Sequence, residues 1–245
     1  LGEIVTFSIY DVTADWAERA GLSCLKQKEI GSTNDWAKEH AFQESQALSL
    51  YLADHQTKGR GRGTHTWTDQ GHGHFLLSSW SFMMLQAAQP ILAPALGLSL
   101  FKAAQATWMG FPWSLKAPND LYLGEKKVAG LLIESVQEGT KHRLVVGLGV
   151  NVHAHPNVDR SGSLGETIPA EEINPEIWRQ FLDRLLLEFT STLLLTEKTV
   201  LHSSQQRGLL FALNHFPLLK TPYAKVFADG GLELKDGKKI SWFDL

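Results

Sequence analysis

Cysteine is almost missing from this sequence: its 245 residues include one, Cys24. A lone thiol forms no internal disulfide and no Cys-rich zinc cluster, so a reducing compartment, the cytoplasm, is the expected setting, with Cys24 itself a buried packing residue. Long apolar runs are missing too. None approaches the ~20 residues that cross a bilayer, and Leu1 to Tyr10 lacks the basic-then-apolar order of a secretion signal, so neither anchor nor signal is expected. Positive charge is not in excess: 23 Lys and Arg against 26 Asp and Glu leave a formal net charge of -3. That excludes a generally cationic surface, so attraction to phosphate has to come from a local cluster, and Lys58, Arg60 and Arg62 supply one. There is no internal repeat and no low-complexity segment, which excludes a solenoid.

What is present is ordinary globular composition, 43% hydrophobic and 20% charged, enough for one large core and a small second unit. Ile4 to Tyr10 reads as a β-rich run. Gly31-Ser32-Thr33-Asn34 ahead of Trp36, Ala37 and His40 predicts a capped helix start. Leu48 to Ala53 and His74 to Phe82 read as strands, separated by a glycine-rich basic loop. Leu96, Leu100, Phe101, Ala104 and Trp108 fall at helical spacing before Gly110 and Pro112. Leu121 to Val152 predicts sheet with a hairpin turn at Glu138 to Lys141. Pro175 opens a helical stretch whose apolar stripe is Trp178, Phe181, Leu182, Leu185, Leu186 and Phe189. From Tyr223 to Leu245 short β-like runs are punctuated by Gly230-Gly231 and Asp236-Gly237, both hairpin signals. Strands and helices do not alternate as βαβ units. An α+β fold with a mixed sheet flanked by helices is therefore expected, divided into residues 1–212 and a small C-terminal β part, 213–245.

Three segments carry chemistry. In Gln56 to Trp67, alternating glycines let backbone approach a ligand, while Arg60 and Arg62 offer forks matched to phosphate or carboxylate. A solvated basic loop fits the same residues, and so does nucleic-acid binding, although acidic net charge and the lack of interleaved aromatics weaken the latter. Lys116-Ala117-Pro118-Asn119-Asp120 follows a strand, and its proline turn brings polar side chains together; by itself it is also an ordinary turn. Lys127 opens an apolar strand interrupted by Gly130, which suits close approach of a ligand or of backbone. Gly147-Leu148-Gly149-Val150-Asn151 is a strand end that lacks the third glycine of a dinucleotide fingerprint. His72 with His74, and His153 with His155, lie two apart as metal pairs do. Without a matched carboxylate or Cys nearby in sequence they are read as loop histidines, and no resident metal is expected.

The order of Gly31-Ser-Thr-Asn34, Gly59-Arg-Gly-Arg62 ending in Trp67, Lys116-x-Pro-Asn-Asp120, Lys127-x-x-Gly130 and Gly147-x-Gly-x-Asn151 resembles the catalytic domain of biotin protein ligases, closely over about 28–155. The resemblance implies a mixed-sheet domain similar to class II aminoacyl-tRNA synthetases, followed by an SH3-like barrel. It implies an enzyme that activates biotin with ATP to biotinyl-5'-adenylate and transfers biotin to a lysine of a biotin carboxyl carrier protein. Ser32, Thr33 and Gln56 would hydrogen-bond the biotin rings. Gly59 and Arg60 would line the pocket and its carboxylate end, Gly130 and Leu132 would border it, and Trp67 would cover it. Arg62 would face the adenylate phosphate, Lys127 would lie between carboxylate and α-phosphate, and Lys116, Asn119, Asp120 and Asn151 would serve ATP and its Mg²⁺. Asp120 is also a candidate base for the incoming lysine.

The sequence departs from that family where Gly63, Thr64 and His65 replace further basic residues, so adenylate retention is expected to be weaker or pH-dependent. About 30 residues precede the first motif, fewer than a winged helix-turn-helix needs, so a monofunctional type without DNA binding is expected; a homodimer is compatible with the resemblance. Two rival readings remain: a lipoate or octanoyl ligase on the same scaffold, and a non-catalytic sensor of biotin or nucleotide.

Overall fold

A computed structural model describes residues 7–43, 45–195 and 200–242. In chain order these form α1 (Ile9–Arg19), β1 (Ser23–Ile30), α2 (Thr33–Glu39), β2 (Leu48–Gln56), β3 (Phe75–Met84), α3 (Leu92–Thr107), β4 (Trp113–Lys116), β5 (Asp120–Leu123), β6 (Lys126–Glu138), β7 (Lys141–Asn151), α4 (Pro175–Leu195), α5 (Ser203–Asn214), β8 (Tyr223–Val226), β9 (Leu232–Leu234) and β10 (Lys239–Ile240). The mixed sheet flanked by helices and the small C-terminal sheet are as expected. Among the described residues no helix is long and apolar enough to cross a membrane.

The chain divides into two compact units. The first comprises 1–88 and 128–179. Its strands run β1-β2-β3-β7-β6, with β1 parallel to β2 and the others antiparallel. On one face, α2 buries Ala37 against Tyr51 and Val145, with Trp36 and Leu25 packed beside them. On the other, α1 sets Trp16 against Trp80, their ring centroids 5.9 Å apart. The foot of α1 is fixed by Trp178 Nε1, which donates to the buried Thr13 hydroxyl at 3.0 Å, and by Arg179, which pairs with Asp15 at 3.0 Å.

Here the structure corrects the reading of Ile4 to Tyr10 as β-rich. Residues 4–6 lie outside the described residues, but Ile9 and Tyr10 open α1, because the Ser8 hydroxyl accepts from the Asp11 amide at 3.1 Å and caps the helix. Strand β1 gave no apolar signal since it is an edge strand, half-buried at best, with Lys26 and Lys28 exposed. Cys24 lies on it and is half-buried rather than buried; burial pushes its thiol up to about 11.

The second unit comprises 89–127 and 180–245. Helix α3 is buried along much of its length, and the Ser99 hydroxyl lies 2.7 Å from that of Thr192 on α4. Trp108 stacks near Phe181 with centroids 5.1 Å apart. The strands β8, β9 and β10 pair antiparallel as a three-stranded sheet; positions 243–245 lie outside the described residues. Trp242, almost wholly buried, donates to the Pro118 carbonyl at 3.0 Å, which ties this sheet to the turn before β5.

Candidate active site

The site residues of the first unit rest on one face of its sheet. Directly opposed residues of antiparallel strands share a face. Ser79 of β3 opposes Gly147 of β7, which opposes Leu132 of β6; in the next row Gly149 opposes Gly130. Leu77 completes that second row, and the three glycines leave hydrogen atoms where side chains would normally stand, so the space goes to neighbours. A Cβ on Gly147 would sit 2.3 Å from Asn34 Oδ1, and one on Gly149 would sit 2.5 Å from the Trp67 indole. Asn34 and Trp67 thus lie flat against the two glycines, which explains why a strand in the sheet interior tolerates them.

Ser32 occupies the N-cap of α2 without a side-chain cap bond, and Ser32, Thr33 and Asn34 are all buried. Gln56, ending β2, accepts on Oε1 from the Thr33 amide at 2.7 Å and lies 3.1 Å from the Thr33 hydroxyl. Ser79, buried in the floor, hydrogen-bonds Asn34 Oδ1 and lies 2.8 Å from the Thr33 hydroxyl. Gln56 is itself braced: the Asp69 carboxylate accepts from its backbone amide at 3.1 Å and from His55 at 2.5 Å.

The glycine-rich segment is a tight tongue. Trp67 N–H donates to the Gly59 carbonyl at 3.0 Å, Gly61 N–H to that of His65 at 2.8 Å, and Arg60 bridges Thr66 as in an antiparallel pair. A Cβ on Gly59 would fall 2.3 Å from the Trp67 carbonyl oxygen, so only glycine closes this turn. The Arg60 guanidinium is engaged by two carboxylates of the chain, Glu134 and Asp35, the latter at 2.9 Å. Arg62 is partly buried near the tip, whereas Gly63, Thr64 and His65 are exposed.

Of the other expected residues, Asn151 is buried, and its amide donates to the Gly162 carbonyl at 2.9 Å and to Ser161 Oγ at 3.3 Å. Its Oδ1 has no hydrogen-bond partner among the described residues. In the second unit, the Lys127 ammonium pairs with the Asp120 carboxylate at 2.7 Å. Lys116 is exposed at the end of β4, and Asn119 is partly buried in the turn that follows.

The histidine pairs are otherwise occupied. His72 bonds the buried Asp54 at 3.1 Å, and His74 stacks edge-on to His153. Burial, with His74 close by, depresses His153 to about 4, so it is neutral near pH 7. No group of His, Cys, Asp or Glu among the described residues is arranged to hold a metal ion. Sequence reasoning gave no part to Ser79, Asp69 or Glu134. Ser79 stands on β3 and Glu134 on β6, two strands apart in the sheet, so only its register reveals them.

Comparisons with known proteins agree with this geometry. The chain is 32% identical over 147 residues to the bifunctional ligase/repressor BirA of Bacillus subtilis (strain 168), an alignment that takes in 57% of this chain and 43% of that protein. It is 29% identical over 204 residues to biotin--protein ligase 2 of Arabidopsis thaliana, covering 77% of this chain and 61% of the relative. The chain thus spans about half the length of these relatives. Among solved structures, the biotin protein ligase from Aquifex aeolicus in complex with biotin and ATP superposes with a TM-score of 0.68 and 26% identity, over 89% of this chain and 95% of that one. The profile of the Biotin/lipoate A/B protein ligase family matches residues 27–151, a little over half the chain and the stretch that carries every site segment described above. The chain belongs to that family.

Proposed function

We propose that this chain activates biotin with ATP and transfers it to a lysine of a biotin carboxyl carrier protein. The observation that carries this reading is the glycine floor under Trp67, bordered by the polar row Thr33, Gln56, Ser79 and Asn34. Such a site takes a compact bicycle with one apolar face and a hydrogen-bonding edge. A flexible acyl chain or a dithiolane has no hydrogen-bonding edge to offer this row, which favours biotin over lipoate or octanoate.

In this reading Ser32, Thr33 and Gln56 bind the ring, Gly59 and the Arg60 backbone line it, Gly130 and Leu132 border it, and Trp67 covers it. An oxygen of the biotin carboxylate attacks the α-phosphorus of ATP. The new P–O bond forms the mixed anhydride as the α–β bridging bond breaks and pyrophosphate leaves. Two anions meet in that step, so fixed cations are the chief device the protein supplies, and we assign it to Lys127 and Arg62. Asp120 holds the Lys127 ammonium in place. Lys116, Asn119, Asp120 and Asn151 serve the nucleotide and the Mg²⁺ that accompanies it; the orphaned Asn151 Oδ1 is an oxygen donor of the kind a hard cation takes. A neutral lysine amine of the carrier then attacks the anhydride carbonyl. An amide forms, AMP leaves, and the amine proton passes to a carboxylate, for which Asp120 is our candidate. The division into a catalytic part, 1–212, and a C-terminal part, 213–245, and a cytoplasmic setting belong to the same proposal.

Lys127→Ala tests it. Loss of one charge-stabilising donor costs about 100-fold or more in the chemical step, so biotin-dependent exchange of pyrophosphate into ATP should collapse while circular dichroism and the melting temperature stay near wild type. Exchange at the wild-type rate would refute the role of Lys127.

A further inference from the structure

Glu134 is the point at which three segments of the ring pocket meet. Its Oε2 accepts from Asn34 Nδ2 at 2.8 Å and from Arg60 of the glycine tongue, and its Oε1 accepts from Lys38 of α2 at 2.9 Å. It stands on β6, two residues beyond Leu132 and on the same face as the floor. Burial alone would raise its carboxyl, but Lys38, Asn34 and Arg60 outweigh that and hold it below its ordinary 4.5, so it is ionised near pH 7.

A fixed anion at one end of a hydrogen-bond chain orients every proton along it. Asn34 turns its Nδ2 toward two acceptors, Glu134 Oε2 and the Leu132 carbonyl at 3.2 Å, so its Oδ1 faces Ser79. Oδ1 only accepts, so the single Ser79 proton goes to Asn34. The Thr33 hydroxyl, 2.8 Å from Ser79 Oγ, donates its own proton to Gln56 Oε1 at 3.1 Å. What Thr33 Oγ1 retains for a ligand is lone pairs. Gln56 Oε1 is already held by the Thr33 amide, so what Gln56 retains is its Nε2 donor. The edge therefore presents an acceptor beside a donor, the complement of a ligand edge with an N–H beside a carbonyl or other acceptor.

We propose that Glu134 is a positioning residue for ring recognition: through Asn34 it fixes the Ser79 hydroxyl and the start of α2 beside the Thr33–Gln56 edge, and through Arg60 it holds the glycine tongue beside that edge. The proposal rests on biotin being the substrate. It acts through other side chains and touches no reacting atom, so its loss is read first in ring affinity.

The test compares wild type with Glu134→Gln, Glu134→Asp, Ser79→Ala and the E134Q/S79A pair. Biotin binding is measured by calorimetry without nucleotide, and kcat and the KM for ATP by pyrophosphate exchange at saturating biotin. The biotin Kd should rise about tenfold or more in E134Q, as befits a lost hydrogen bond to a charged group, and by several-fold in S79A. E134D should restore part of the loss, and the pair should be no worse than E134Q by more than about twofold, because both changes cut one chain. The KM for ATP should change by a smaller factor than the biotin Kd in each variant. Unchanged biotin affinity in E134Q, additive losses in the pair, or an ATP KM raised by the same factor as the biotin Kd would each overturn the proposal. If E134Q does not fold, S79A decides, since a wild-type Kd there breaks the chain argument. A wild-type chain that binds no biotin overturns the substrate assignment instead, a result distinct from tight binding by both wild type and E134Q.

Discussion

Gly149 shows what a single hydrogen atom does in this site. A methyl group there meets the rigid Trp67 indole at 2.5 Å, and a ring, unlike the end of a lysine, has no soft direction in which to yield. Gly149→Ala should therefore displace Trp67, cost about 1–3 kcal/mol of stability through overpacking, and weaken biotin binding by calorimetry; unchanged stability and affinity would show that Trp67 does not lie on the floor. At this scale the sequence was partly legible. The glycines of Gly147-x-Gly149 stood out because a strand has no reason of its own to hold them. Asn34 appeared in a motif without a task, and Ser79 and Glu134 not at all, because their work depends on the register that sets Ser79 against Gly147 and turns Glu134 toward Arg60. Composition also left hidden that Arg60 and Lys127, read as cations for a ligand, are each tied to carboxylates of the chain.

Where element ends meet, His153 is the joint. It follows β7, its backbone N–H donates to the His74 carbonyl at the start of β3 at 3.1 Å, and its ring packs edge-on to Phe7 just before α1, with centroids 5.0 Å apart. Burial chiefly, then the nearby His74, lowers it from 6.5 to about 4. As pH falls through that window the unfolded chain takes up a proton that the folded chain refuses, so stability drops between 6.5 and about 4 and this contribution levels off below. His153→Phe should flatten that part of the stability–pH curve in urea unfolding; a variant with the wild-type slope would place the titration elsewhere. The elements themselves were legible where periodicity was strong, as in α3, α4 and the β6–β7 hairpin. Helix α1 was not, because its apolar positions run straight on from an apolar N-terminal stretch, and the Ser8 cap that separates them is a feature of backbone geometry. Strand β1 was not, because an edge strand with exposed lysines carries no alternation to read.

For the molecule as a whole, the order of weak motifs said more than any one of them, since each is an ordinary turn or strand end and only their succession is distinctive. That order brought the family into view, and the family profile matches the same span. The interleaving of the two compact units was not visible, because contacts between stretches as distant as 89–127 and 180–245 leave no local trace. The central claim concerns chemistry and is tested most directly by product. Purified chain incubated with biotin, ATP and Mg²⁺ and quenched in acid should yield biotinyl-5'-adenylate by mass spectrometry with one equivalent of pyrophosphate, and no acyl-adenylate when lipoate or octanoate replaces biotin. Absence of the biotinyl adenylate, or its lipoyl counterpart formed as readily, would contradict the account.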